Sequence, residues 1–177
     1  MRRRNACGRR GKQRPDRRPG HEKNAGKVRR DPGGGESAVK GKRVLVVDDI
    51  DVNRMILVKI LGTRGAECDV AMDGQEAVTK FEQSQPGEYD LILMDVQMPV
   101  MNGHEATRAI RAGKHPSAQS VPIVAMTANA FVDDVRDALN AGMDAHIPKP
   151  IVLDQLERTI REVLERKNKL ICERAVR

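Results

Sequence analysis

Three short, continuous apolar runs dominate the hydrophobic pattern of the chain and predict its central strands. They occupy residues 44–47, 91–94 and 121–126, each bounded by polar or turn residues. Unbroken apolar runs of this length are typical of strands that are covered on both faces. Two weaker segments extend the pattern: residues 66–71 alternate polar and apolar side chains, and residues 144–149 contain Pro148, which restricts that strand to an edge or an end.

The segments between these strands carry apolar residues at helical spacing, with recognisable start and stop signals. We expect Asp51 to cap a first helix that ends at Leu61, because Gly62 follows. Two later pairs resemble capping boxes: Asp73 with Glu76, and Asn102 with Glu105. The apolar faces of the last two helices are predicted at Phe131, Val135, Ala138 and Leu139, and at Leu153, Leu156, Ile160, Val163 and Leu164.

Five strands alternating with five helices predict an α/β fold whose parallel sheet carries helices on both faces. The two weaker strands, second and fifth in the chain, are the natural edges of that sheet. This arrangement fits the flavodoxin-like, doubly wound (βα)5 fold with strand order 2-1-3-4-5. In such sheets ligands bind beyond the carboxyl ends of the strands, at the point between strands one and three where the winding reverses.

Charge is divided unevenly between the first forty residues and the rest of the chain. Residues 1–40 hold 14 Lys and Arg against 4 Asp and Glu, a net charge of +10, whereas residues 41–177 hold 18 against 21, a net charge of −3. The first segment has almost no large apolar residues, so we expect a disordered basic extension or linker. We expect the folded domain to span 41–167, with 168–177 as a tail or a continuation of the last helix.

Several classes of protein are not expected from this composition. Cys7, Cys68 and Cys172 are widely spaced and form no metal-binding motif, so reduced thiols in a cytoplasmic protein are the simplest interpretation. No stretch approaches the roughly 20 apolar residues that span a bilayer, so we expect no membrane insertion. The arginine runs at 2–4 and 9–10 could attract nucleic acid, but no recognition motif accompanies them, and nucleic acid is not an expected partner.

Acidic residues follow two neighbouring strands at the predicted switch point of the sheet. Asp48 and Asp49 come directly after the first strand, and Asp95 comes at the end of the third. Three carboxylates in one small site repel one another, and a divalent cation relieves that repulsion. Oxygen-only ligands with room for water favour Mg²⁺, which also bridges to phosphate.

A hydroxyl and an ammonium group end the remaining two strands at the same edge. Thr127 ends the fourth strand and Lys149 ends the fifth. A carboxylate can act as a nucleophile and form an aspartyl phosphate, while a metal ion, a lysine and a hydroxyl neutralise charge on the phosphoryl oxygens. Each residue alone is weak evidence, since an Asp after a strand is usually a loop or capping residue. Because all of them follow separate strands in order, the set predicts phosphoryl chemistry.

In its motifs the chain resembles the receiver domains of two-component response regulators, and it looks most like receivers attached to hybrid sensor histidine kinases. The segments that carry the resemblance are VLVVDDIDVNRMIL, LILMDVQMPVMNGHEATRAIR, IVAMTANA and GMDAHIPKPI, within about residues 41–167. The resemblance implies that Asp95 is the phosphoacceptor. It also implies that Asp48 and Asp49 form the acidic pair, and that Mg²⁺ binds at these aspartates and Asp95 together with the main-chain carbonyl of Gln97.

The same resemblance assigns roles to residues on the fourth and fifth strands. Thr127 matches the switch hydroxyl and Lys149 matches the lysine that contacts the phosphoryl group, and the peptide bond before Pro150 is expected to be cis. One departure is His146, which stands where the family often has Tyr or Phe, three residues before the lysine. We expect its ring to be half-buried and to act as the switch partner of Thr127.

The sequence therefore predicts a signalling module rather than an enzyme, in which Asp95 takes a phosphoryl group from a histidine kinase or a histidine phosphotransfer protein. The resemblance to receiver domains also implies that phosphorylation alters the face built from helix four, strand five and helix five, where a downstream protein would bind, unless the group is passed onward. An aspartate-based phosphatase of related α/β fold is the alternative, because Asp49 and Asp51 offer its paired aspartates. That alternative leaves Asp95 without a role.

Overall fold

The computed structural model describes residues 37–128 and 132–175. Strands and helices alternate strictly through these residues, and no helix among them is long and apolar enough to cross a membrane. The strands are β1 Arg43–Val47, β2 Glu67–Ala71, β3 Leu91–Asp95, β4 Ile123–Thr127 and β5 Ala145–Pro148. The helices are α1 Asp51–Thr63, α2 Gly74–Gln83, α3 Gly103–Ala112, α4 Val132–Asn140 and α5 Leu153–Ala175.

All five strands pair in parallel in the order β2-β1-β3-β4-β5, which confirms the predicted topology. The register places the ends of neighbouring strands side by side: Val47 lies opposite Ala71 and Met94, and Thr127 lies opposite Pro148. β2 and β5 form the edges, and Pro148 is the last residue of its strand, a position that tolerates its missing N–H. The carboxyl ends of β1 and β3 are therefore neighbours near the centre of the sheet.

The central strands are buried because their alternate side chains enter two cores, one on each face of the sheet. Leu45 and Val47 of β1 pack in the core that includes α2 and α3. Val44 and Val46 pack in the other core, which includes α1 and α5. Both faces thus exclude water, which is the physical reason for the unbroken apolar runs in the sequence.

The start of α1 differs from the prediction that Asp51 caps this helix. The N-cap is Ile50, which has no capping side chain, and Asp51 is the first helical residue. The carboxylate of Asp48 accepts the main-chain N–H of Ile50 at 2.9 Å. The aspartate that follows β1 therefore supplies the acceptor at the start of α1, and the predicted cap is wrong.

The end of α1 also lies beyond the predicted position. The helix passes through Gly62 and ends at Thr63 rather than at Leu61. The chain leaves the helix at Gly65, whose φ of +83° is a left-handed conformation that glycine adopts at low cost. Because Gly62 itself keeps a helical conformation, it does not stop the helix.

The two predicted capping boxes have different outcomes. At α3, the Asn102 side chain accepts the N–H of Glu105, and the Glu105 carboxylate accepts the N–H of Asn102, so the box is confirmed. At α2, the Asp73 side chain accepts the N–H of Glu76, but the Glu76 carboxylate accepts from Met72 instead. The second box is therefore shifted by one residue, although it still satisfies two main-chain donors.

The apolar face predicted for α4 is only partly buried. Ala138 is buried and Val135 is half-buried, whereas Leu139 is 53% exposed. Successive helical residues point about 100° apart, so the burial of Ala138 turns Leu139 toward solvent. Phe131, the remaining residue of that face, lies outside the described residues.

The folded part extends beyond the borders predicted at 41 and 167. Val39 is 3% exposed and packs in the core with α1 and α5, so the fold includes residues just before β1. α5 continues to Ala175, so residues 168–175 continue the last helix, which is the second of the two alternatives predicted for this segment. The rest of the predicted N-terminal extension, residues 1–36, lies outside the described residues.

Candidate functional site

Parallel pairing brings five of the predicted site residues to one edge of the sheet. Asp48 and Asp49 follow β1, Asp95 ends β3, Thr127 ends β4 and Lys149 follows β5. Among them, Asp48, Asp95 and Thr127 are buried, Asp49 is exposed and Lys149 is half-buried. The edge therefore combines buried carboxylates with a hydroxyl and an ammonium group.

The ammonium of Lys149 bridges the two buried carboxylates. Its Nζ donates to Asp48 Oδ2 at 2.7 Å and to Asp95 Oδ2 at 2.6 Å, as in charge-assisted hydrogen bonds. Burial by itself lowers the pKa of Lys149, but the hydrogen bonds to Asp48 and Asp95 outweigh it, and the pKa is raised. The lysine therefore stays charged at neutral pH and offsets part of the negative charge.

Burial raises the pKa of Asp95, because ionisation occurs where little water reaches the carboxyl group. The Lys149 ammonium lowers that pKa again and the charge of Asp48 raises it, so that the net shift is upward. Asp95 Oδ1 also accepts the main-chain N–H of Gln97 at 3.2 Å. One oxygen thus contacts the lysine and the other contacts the β3–α3 loop, which fixes the orientation of the carboxylate.

The start of α3 packs directly against the main chain of Asp95. A Cβ at Gly103 would lie 2.1 Å from the Asp95 carbonyl oxygen, so only glycine fits there. The loop before it contains Val100, which is 86% exposed and has a φ of +68°. This conformation is costly for a β-branched residue, and such costs often persist at functional sites. Nothing in the sequence pattern indicated it.

Three carboxylates form a group that fits a divalent cation. One oxygen from each of Asp48, Asp49 and Asp95 lies within 4.8 Å of the others. The donors are hard oxygens and two belong to buried residues, whose mutual repulsion a cation relieves. Such a donor set suits Mg²⁺, with water completing its coordination. The main-chain N–H of Gln97 contacts Asp95, whereas the role of its carbonyl stays a prediction.

Asp51, the second aspartate that the phosphatase alternative requires, lies outside this carboxylate group. Its side chain is 76% exposed and pairs with Arg54 Nη2 at 2.9 Å. It lies in the first turn of α1, whereas Asp48 and Asp49 precede the helix. The structure therefore does not bring Asp51 into the pocket, and among the described residues the aspartate that joins the acidic pair is Asp95.

Two residues in the first turns of α1 contact Asp48 and were missed by the sequence analysis. Asn53 Nδ2 donates to Asp48 Oδ1 at 3.0 Å and to Oδ2 at 3.2 Å. Arg54 donates from Nη1 to the main-chain carbonyl of Asp48. A usable signal existed, because the helix that follows a strand begins at the same edge as the strand end.

The predicted switch residues lie on the two strands beside the acidic group. Thr127 is 4% exposed, and its main-chain carbonyl accepts the N–H of Lys149 at 2.7 Å. The peptide bond between Lys149 and Pro150 is cis, as expected. His146 is half-buried on β5 and lines a surface pocket of about 580 Å³ with residues of α5. The switching role of Thr127 and His146 stays a prediction.

Comparison with known sequences points to one group of proteins. A family model of the response regulator receiver domain matches residues 44–161. Hybrid signal transduction histidine kinase L of Dictyostelium discoideum is 42% identical over 121 residues, which are 68% of this chain and 7% of that protein. Sensor protein GacS of Pseudomonas syringae pv. syringae is 42% identical over 122 residues, which are 68% of this chain and 13% of that protein. The chain therefore spans only a small part of the length of these relatives.

Solved structures of similar sequence share the fold. The receiver domain of sensor histidine kinase PA1611 from Pseudomonas aeruginosa PAO1, described with a magnesium ion coordinated in the active site cleft, is 35% identical. Its TM-score is 0.63, and the match covers 70% of this chain and 98% of that one. Chemotaxis protein CheY4 of Vibrio cholerae is 30% identical with a TM-score of 0.63, and the match covers 69% of this chain and 98% of that one.

Proposed function

Because this chain belongs to the response regulator receiver family, we propose that Asp95 accepts a phosphoryl group from a phosphohistidine in a two-component phosphorelay. The observation that carries the proposal is the pair of short contacts from Lys149 to Asp95 and Asp48, which holds a buried carboxylate beside an ammonium group. Such a carboxylate is oriented for attack, and the ammonium is already beside the position of the incoming phosphoryl oxygens.

The transfer forms one bond and breaks one bond. An Asp95 oxygen attacks the phosphorus of the phosphohistidine, and the phosphorus–nitrogen bond breaks as the aspartyl phosphate forms. The electron pair of the broken bond stays on the imidazole, which takes up a proton from solvent. In this proposal the chain is the phosphoacceptor of a signalling module and not an enzyme that turns over a small substrate.

Other residues of the pocket would stabilise the transferred group. Lys149 would neutralise charge on the phosphoryl oxygens, and the Thr127 hydroxyl would contact them from β4. The three clustered carboxylates and the main-chain carbonyl of Gln97 would hold Mg²⁺, which when bound supplies positive charge to the same oxygens. The separation of at most 4.8 Å between the carboxylate oxygens supports this part of the proposal.

Phosphorylation by a small acyl phosphate tests the proposal without a protein donor. With Mg²⁺ present, the purified chain should gain one phosphoryl group on the peptide that contains Asp95, as read by mass spectrometry. Excess chelator should lower the initial rate at least about 100-fold, because the carboxylates then repel an anionic donor. Phosphate on a different peptide, or an undiminished rate in chelator, would contradict the proposal.

A histidine kinase or a histidine phosphotransfer protein is the proposed donor, and the apolar side of α1 is its proposed docking surface. Val52, Met55 and Ile56 are 61%, 64% and 52% exposed. Ile56 also lines a groove of about 250 Å³ that reaches Lys149. Large apolar side chains exposed together mark partner surfaces. A donor bound here would have its phosphohistidine close to the pocket, which supports this choice.

Met55→Glu should weaken docking of the protein donor while leaving the acidic pocket intact. A charge on this apolar surface must lose its hydration on binding, so we expect phosphotransfer from a protein donor to slow at least about tenfold. The rate with a small acyl phosphate should stay within about twofold. Leu139→Glu is the matched control, since Leu139 is 53% exposed on α4, across the sheet from α1. If Met55→Glu and Leu139→Glu slowed phosphotransfer from the protein donor equally, α1 would not be the docking surface.

Output is proposed to leave through the face formed by α4, β5 and α5, where a downstream protein would bind, or by onward phosphotransfer. Thr127 ends β4, the strand between Asp95 and β5 in the sheet. His146 of β5 lines a surface pocket with α5, so its ring belongs to this face. A difference of a few kcal/mol between two states suffices to reverse their populations. Movements of two side chains, Thr127 and His146, can supply a difference of that size.

Thr127→Ala should uncouple the pocket from this face without abolishing phosphorylation. In the wild-type chain, a phosphate-mimicking metal fluoride should shift amide NMR signals of residues 131–141, 145–147 and 153–166 as well as those of the pocket. In the variant the shifts should stay near the pocket, because the hydroxyl that follows the phosphoryl group is gone. Thr127→Ser, which keeps the hydroxyl, is the control. Unchanged distal shifts in Thr127→Ala would contradict the switching role.

A cytoplasmic location is also part of the proposal. Cys68 and Cys172 are free thiols, and burial raises the pKa of Cys68 to about 11. Free thiols suit a reducing compartment. Fractionation of cells that produce the protein tests this directly, with recovery in an oxidising compartment as the contrary result.

A further inference from the structure

We propose that Asn53 is a positioning residue that holds the Asp48 carboxylate in the orientation from which it contributes to Mg²⁺ binding. This inference rests on the proposed function, since it assigns Asp48 to the metal. Asn53 is half-buried near the start of α1. Its side-chain amide donates to both oxygens of Asp48, at 3.0 Å to Oδ1 and at 3.2 Å to Oδ2.

The donors around Asp48 explain why its orientation depends on Asn53. Oδ1 also accepts the N–H of Ile50 at 2.9 Å, and Oδ2 also accepts Lys149 Nζ at 2.7 Å. Asp48 is 0% exposed, so water does not readily replace a lost donor. Asn53 is the donor that contacts both oxygens, and its removal leaves the carboxylate held at one oxygen by the main chain and at the other by a flexible lysine.

Lys149 is a poor anchor for Asp48 because it also binds Asp95 at 2.6 Å. In the proposed function its ammonium turns to the incoming phosphoryl group, and Asp48 then needs a donor that stays in place. Asn53 belongs to a helix whose next residue, Arg54, binds the main-chain carbonyl of Asp48. Consecutive residues of α1 therefore hold the side chain and the main chain of the same aspartate.

A purely structural role for Asn53 is the competing explanation, because α1 begins without a capping side chain. Both roles allow a lower melting temperature when Asn53 is replaced. Only the positioning role makes the loss of Mg²⁺ affinity depend on the Asp48 carboxylate. A double-substitution cycle separates the two, since coupled residues give non-additive effects and independent ones give additive effects.

Titration of the full chain with Mg²⁺, followed by calorimetry or amide NMR shifts, tests the inference. Asn53→Leu keeps the size of the side chain and removes both donors, and it should raise the Kd for Mg²⁺ about tenfold, the scale of one hydrogen bond to a charged group. In an Asp48→Asn background the same substitution should change Kd less than about twofold. Asn168→Leu on the exposed side of α5 should leave Kd unchanged.

Equal tenfold losses in both backgrounds would overturn the inference in favour of a structural role, and an unchanged Kd for Asn53→Leu would overturn it directly. Either outcome concerns the role of Asn53 alone. The proposed function still stands if the wild-type chain binds Mg²⁺ and is phosphorylated on Asp95. If Asn53→Leu does not fold, a second measurement on the metal-free wild type still tests the inference. There the Asn53 side-chain amide protons should exchange slowly with solvent, because the amide donates to both oxygens of Asp48. Fast exchange would also overturn the inference.

Discussion

Asp95→Asn is expected to abolish phosphorylation while leaving the domain folded. The substitution keeps the size and shape of the side chain but replaces the carboxylate nucleophile with an amide. We expect the initial rate with a small acyl phosphate and Mg²⁺ to fall at least about 1,000-fold, the scale seen when a nucleophile is removed. Mass spectrometry of the peptide that contains residue 95 measures the outcome.

The same substitution should not lower the stability of the metal-free chain at neutral pH. Burial raises the pKa of Asp95, so the folded state binds the proton more tightly than the unfolded state. The stabilisation from that proton is present in acid and is lost as the pH rises through the folded-state pKa. Above the folded-state pKa the wild type holds a buried charge that the variant lacks. The unfolding midpoint in denaturant should equal or exceed that of the wild type.

Asp51→Asn is the matched control for this experiment. Asp51 is also an aspartate beside the pocket, but it is 76% exposed and lies outside the carboxylate group. Its replacement should change the rate less than about twofold. Phosphorylation of Asp95→Asn at the wild-type rate, or loss of phosphorylation in Asp51→Asn alone, would show that the nucleophile lies elsewhere.

Lys149→Met is expected to slow phosphorylation about 100-fold, comparable with removal of one donor from an oxyanion site. Methionine keeps much of the aliphatic stem and removes the ammonium that donates to Asp48 at 2.7 Å and to Asp95 at 2.6 Å. Initial rates with a small acyl phosphate measure the effect. Lys114→Met, which changes an exposed lysine, should leave the rate unchanged within about twofold. A wild-type rate in Lys149→Met would contradict the role of the ammonium.

Removal of Lys149 should also change how stability responds to Mg²⁺ and to pH. Without the ammonium, no positive charge of Lys149 offsets the repulsion between the carboxylates of Asp48 and Asp95. Binding of Mg²⁺ should therefore raise the melting temperature of the variant more than that of the wild type. Hydrogen bonds to both carboxylates raise the pKa of Lys149 against the effect of burial. Its stabilisation is therefore present below the unfolded-state pKa and lost as the pH rises through the folded-state value. Thermal unfolding from neutral to alkaline pH should show that loss in the wild type and a smaller one in the variant.

The periodicity of the chain was sufficient to predict the sheet. Unbroken apolar runs at β1, β3 and β4 require cover on both faces, which leaves the alternating run of β2 and the proline-containing β5 as edges. The location of the site followed from the same reasoning, because carboxyl ends of parallel strands share one edge. Asp95 and Lys149 could thus be assigned to one pocket although they lie 54 positions apart.

Local helix signals were less reliable, because contacts from other elements competed with them. Asp51 has the residue type of a cap, yet the N–H of Ile50 at the start of α1 is taken by Asp48, which follows a strand. Leu139 continues an apolar pattern, yet α4 presents Ala138 to the core and leaves Leu139 exposed. In both cases the packing of the helix on the sheet outweighed the local preference.

The sequence by itself determined which residues meet at the edge of the sheet, because burial and strand direction are encoded in short-range patterns. Only the tertiary structure decided which atoms touch. Lys149 reaches Asp48 across 101 positions and between strands that do not pair, so their contact depends on the placement of the whole sheet. The two bonds from Asn53 and the left-handed φ of +68° at Val100 depend in the same way on how α1 and the β3–α3 loop pack. Hydrogen bonds are sensitive to a few tenths of an ångström, and no periodicity in the chain specifies positions so finely.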